Sequence, residues 1–123
     1  MAVAAPAVNN ENDAKSLEEA AEVEAADEFA MAVGLLTLEL HIADARSLKD
    51  KRQILRSLKD RLRGKFNVAV AELDFHDVWQ SSTVGVVTLS NAEQHVEESL
   101  QHVLAEAQRI LGPVLVDHSV DLL

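Results

Sequence analysis

Residues 35–66 read LLTLELHIADARSLKDKRQILRSLKDRLRGKF, and two periods meet in that stretch. Leu36, Leu38, Leu40 and Ile42 alternate with Leu35, Thr37, Glu39 and His41. A period of two predicts a strand with one well-buried face. From Ser47 the period lengthens. Leu48, Ile54, Leu55, Leu58 and Leu62 share one arc of a helix turning 100° per residue, so a helix must lay that arc on the strand. Ser47 with Asp50 three residues on forms a capping box, and Gly64 signals the helix end.

Downstream, Phe66, Val68 and Val70 alternate into a second strand that ends near Asp74. Asp74-Phe75-His76-Asp77 is a turn, because aspartate side chains bond nearby backbone amides. A Val- and Thr-rich third strand is expected from about Val78 to Leu89. Ser90-Asn91 is expected to cap a second helix that Gly112-Pro113 closes, and Val114–Val120 forms a last strand. The order β-α-β-β-α-β predicts an α+β, ferredoxin-like domain over residues 31–123. Right-handed crossovers place both helices on one face of a four-stranded sheet.

Residues 1–30 differ in kind. Eight carboxylates stand there against Lys15 alone, a net charge of −7. Residues 1–14 carry no period, and Ser16 with Glu19 opens an Ala- and Glu-rich stretch, so the segment reads as a disordered or frayed-helical acidic leader. Met31 begins the patterned part and is a candidate initiator. The chain of 123 residues fits one domain and has a net charge of −10. Residues 46–65 oppose that average, holding nine of the eleven basic residues against Asp50 and Asp60. There is no cysteine, which removes disulfides and thiolate metal sites. No apolar run is long enough to span a bilayer and no basic n-region precedes an apolar one, so a cytoplasmic location is expected.

The chemistry concentrates on the first helix. Lys49, Arg52, Arg56, Lys59 and Arg63 fall within an arc of about 80°, lined up along roughly 20 Å of axis. Like charges at these spacings repel by a few tenths of a kcal/mol per pair. Phosphates of a nucleic-acid backbone would relieve that repulsion. The plainer alternative is a solvated face whose long stems cover apolar neighbours. The acidic leader reads first as a solubilising tail; the alternative is that its Glu18, Glu19, Glu22 and Glu24 fold back and compete with phosphate for this stripe.

Other candidates are weaker. His95, Glu98, His102 and Glu106 share a stripe of the second helix, but the histidines are seven residues apart and cannot share one ion. Asp74, His76 and Asp77 suit turn capping better than acid–base work. No nucleophile elbow and no phosphate-cradling glycine loop is present, so a non-enzymatic role without a cofactor is expected. Phe75 and Trp79 are able to stack bases, although a core or dimer anchor is the favoured reading for the single tryptophan.

Ser47-Leu48-Lys49-Asp50-Lys51-Arg52, Lys65-Phe66-Asn67-Val68, Ala71-Glu72-Leu73-Asp74 and Asp77-Val78-Trp79-Gln80 resemble the YlxP-like family, domain of unknown function 503, over residues 31 to about 121. The resemblance implies a ferredoxin-like fold. It also suggests a role near the small ribosomal subunit, because genes of this family tend to lie beside those for translation initiation and ribosome-binding factor A. It carries over no catalytic residue. Ser81-Ser82 stand where the family often has a basic residue, which weakens any extension of the polyanion site onto the third strand. The expected function is therefore an RNA- or ribosome-associated domain contacting phosphates through the five stripe residues. The alternative is a structural or protein-interaction module without nucleic-acid binding, which binds a protein partner and self-associates, as a dimer or larger assembly, through a partly apolar sheet face bearing Leu35, Ala69, Ala71 and Leu73.

Overall fold

The structure, a computed structural model, describes residues 30–123. The expectations for the leader lie outside the described residues. Strand β1 (Ala32–His41) runs into helix α1 (Leu48–Lys65), followed by β2 (Ala69–Asp74) and β3 (Ser81–Ser90). Helix α2 (Glu93–Leu111), one 3-10 turn at Gly112–Val114 and strand β4 (Leu115–Leu122) complete the order. The sheet order is β2-β3-β1-β4, with every neighbouring pair antiparallel. This is the ferredoxin-like α+β arrangement that the order of elements predicts.

The alternation in β1 does what its sequence requires. Leu36, Leu38 and Leu40 are buried, whereas their neighbours Leu35, Thr37 and Glu39 remain partly open. Register carries the same division into β3, where Val84 and Val86 are buried opposite Leu38 and Leu36. Both helices cover this side of the sheet. Helix α2 packs on β1, β3 and β4, and α1 packs on β2 at the sheet margin. The opposite face carries Leu35, Val87, Ala69, Ala71 and Leu73 without a covering layer among the described residues.

Five boundaries differ from the sequence reading, and the first is the start of β2, which is Ala69 and not Phe66. Val78 belongs to the turn before β3, because its N–H donates to the Phe75 carbonyl (3.0 Å). Gly64 lies within α1, which ends when Phe66 turns extended while its N–H still reaches Leu62. The N-cap of α2 is Ala92, and Ser90 accepts only a long bond from the Ala92 N–H (3.4 Å). Strand β4 starts after the 3-10 turn, whose first residue, Gly112, has a positive φ (54°) that glycine adopts without strain.

Candidate nucleic-acid interface

Helix α1 begins where Ser47 accepts the Asp50 N–H on its hydroxyl (3.1 Å). The Asp50 carboxylate reaches back to the Arg46 N–H (2.9 Å), one residue before the N-cap, so the capping box closes with an offset. Only Leu58, Leu62 and Lys51 of α1 are buried, with Ile54 and Leu55 packed against the core edge.

Lys51 is the residue that the sequence reading passed over. Counting 100° per residue from Lys49, it falls at about 200°, between Leu58 and Leu62 in the middle of the buried arc. Its side chain is 1% exposed, and its ammonium meets the Glu72 carboxylate at 3.0 Å. The same nitrogen donates to the carbonyls of Phe75 (2.6 Å), His76 (3.3 Å) and Ser81 (3.4 Å). Glu72 follows Val68 and Val70 on the helix-facing side of β2 and also accepts from the Ser82 hydroxyl (2.5 Å). A buried cation is tolerable only when paired and hydrogen-bonded, and here both conditions hold. The sequence signal was a lysine in the centre of an apolar arc, in phase with a glutamate two turns of the pleat into β2.

This clasp shapes the Asp74–Gln80 loop. Phe75 sits at φ 65°, a left-handed conformation unusual for a bulky side chain, and its N–H is held by Asp74 (2.7 Å). The His76 ring lies 3.1 Å from the Glu72 carbonyl, so it serves the turn and meets no carboxylate there. Gln80 donates to the carbonyls of Ala43 (2.9 Å) and Ala45 (3.4 Å), tying the loop to the segment that enters α1. Trp79 is 51% exposed, and so not a core anchor.

The five stripe residues come together as the spacing predicts. Lys49, Arg52, Arg56 and Arg63 are exposed and Lys59 is half-buried. None of the five makes an ion pair among the described residues; Lys51 and Lys65 are the cations of this segment that do. Arg52, Arg56 and Lys59 form one wall of an open groove of about 450 Å³, with Val70, Ala71 and Glu72 of β2 opposite. Asp60 is the other acid of that lining, and Glu72 is already neutralised by Lys51. The groove therefore presents concentrated positive charge beside β2, the outer strand of the sheet among the described residues. Glu98 and His102 of α2 are exposed beside Val120 of β4, at the other margin of the sheet from the basic wall.

At the far end of α1, Lys65 donates to Glu106 of α2 (3.0 Å), and Arg109 binds the same carboxylate. Those hydrogen bonds, Arg109 first, hold the Glu106 carboxyl down to about 2. This acid thus ties the helices together and leaves the stripe uncompensated.

The comparisons with known proteins now bear on this geometry. The model of a family described as a protein of unknown function (DUF503) matches residues 33–118. The chain belongs to that family. A relative from Bacillus subtilis (strain 168), named as uncharacterized protein YlxP, is 38% identical over 73 residues, covering 59% of this chain and 79% of the relative. The matched span contains α1, the Lys51–Glu72 clasp and the Asp74–Gln80 loop. Among the described residues no helix is long and apolar enough to cross a membrane.

Proposed function

We propose that this chain is a non-enzymatic RNA-associated domain that binds phosphates along α1 through Lys49, Arg52, Arg56, Lys59 and Arg63. The small ribosomal subunit in the cytoplasm is the proposed source of that RNA. The observation that carries the reading is the set of five cations on one helix face, none ion-paired among the described residues, beside a groove whose carboxylate Glu72 is already bound. Phosphate contacts position a nucleic acid without reading its sequence. Neutralising Arg52, Arg56 and Lys59 together should therefore weaken binding to unrelated RNA sequences alike. Circular dichroism should show the fold intact, because none of the three is buried in the core. Unchanged RNA affinity in the folded triple variant refutes the reading.

A second reading has its own observation. The sheet face that has no covering layer among the described residues holds a shallow apolar depression of about 130 Å³ lined by Leu35, Ala69, Ala71, Leu73, Gly85 and Val87. Leu73 and Leu89 are 50% and 66% exposed beside it. A second copy docking there would bury this patch in an isologous contact. Light scattering that gives a monomer at high protein concentration ends that reading and leaves the first untouched.

A further inference from the structure

We infer that the Asp74–Gln80 loop is a base-stacking prong at the N-terminal end of the phosphate stripe, so that the ligand is RNA with unpaired nucleotides. This rests on the phosphate reading and adds the ligand class. Phe75, Val78 and Trp79 are 42%, 45% and 51% exposed within five residues, yet the loop backbone is held from several sides. Lys51 binds two carbonyls inside it and a third just beyond, Asp74 caps Phe75, and Gln80 anchors its end to the Ala43–Ala45 segment. A loop so fixed presents its rings without a large ordering cost on binding.

Its position relates it to the stripe. Lys51 reaches the loop from the first turn of α1, and its neighbours Lys49 and Arg52 are the first two stripe residues. A strand whose backbone follows α1 therefore arrives at Phe75 and Trp79 when it passes the helix start. Charge sorts the two parts of the ligand. The exposed carboxylates of Asp74 and Asp77 repel phosphate from the loop, whereas the flat face of a base is neutral and stacks on an aromatic ring. The same carboxylates are acceptors for the exocyclic amino group of a stacked base. The backbone thus lies on the helix and the base on the loop.

Trp79 is the single tryptophan of the chain, so its emission reports on the loop alone. The full-length protein is titrated with an oligoadenylate of about 12 nucleotides and with a duplex RNA of equal length, reading anisotropy of the labelled RNA and Trp79 emission together. The oligoadenylate should quench Trp79 and the duplex should not. Trp79→Ala should weaken oligoadenylate binding about tenfold while leaving the slope of log affinity against log salt unchanged, and Trp79→Phe should recover most of the loss. Binding seen by anisotropy with constant Trp79 emission, or with Trp79→Ala unchanged, overturns the inference and leaves the phosphate reading standing. A Trp79 signal that follows protein concentration and ignores RNA makes a second copy the occupant and overturns it. No binding of either RNA ends both readings.

Discussion

The two helices cover the same face of one sheet and are built on opposite terms. Helix α2 lies over β1, β3 and β4 and buries Val96, Leu100, Val103, Leu104, Ala107 and Leu111. Helix α1 lies over β2 at the margin and buries two leucines and a lysine. The central helix holds the domain together by apolar area. The marginal helix is held partly by a cap and a buried ion pair, and its outer side carries the five cations of the stripe. Position in the sheet thus divides the labour, with stability at the centre and a candidate binding surface at the edge.

The largest expected effect tests the central side of that division. Leu100→Ala should cost about 4 kcal/mol in chemical denaturation, as a fully buried leucine truncated in a packed core does. Leu55→Ala, on the half-buried shoulder of α1, should cost about 1 kcal/mol, and equal losses would remove the contrast.

Lys51→Met probes the clasp. Methionine suits the volume but leaves Glu72 and three carbonyls without their donor, so a loss of about 3 kcal/mol is expected. Adding Glu72→Gln removes the stranded charge and should restore part of that loss, a coupling that a double-mutant cycle measures. Additive losses would mean that Lys51 acts only by packing. The smallest effect concerns the tie between the helices. Glu106 has its folded-state pKa lowered from 4.5 to about 2, by hydrogen bonds from Arg109 and then Lys65. A lowered carboxylate stabilises fully above its unfolded pKa and loses that contribution as pH falls through the folded one. The Tm difference between the wild type and Glu106→Gln should therefore be present at neutral pH and shrink between pH 4.5 and 2.

Much of this was legible in the sequence. The alternation of Leu36, Leu38 and Leu40 and the arc of Leu55, Leu58 and Leu62 set the sheet and the first helix because burial enforces both periods. The stripe was legible for the same reason, as residues on a helix are placed by angle alone. Lys51 was harder. Its partner Glu72 lies 21 positions on in another element, and its remaining bonds go to backbone carbonyls, which a sequence does not display. Val78 lies before β3 because its N–H bonds the Phe75 carbonyl, which Lys51 also holds, although the composition there favours a strand. Propensity is a local quantity, and a tertiary clasp overrides it.

The central claim is that the exposed side of α1 meets phosphates, and counterion release measures such contacts directly. Affinity of the full-length protein for single-stranded RNA is recorded across a range of salt concentrations, alongside the Arg52, Arg56 and Lys59 triple neutralisation. Five engaged cations predict a log–log slope of about −3.5 for the wild type and about −1.4 for the variant. A wild-type slope near zero, or the same slope in both proteins, would contradict the account.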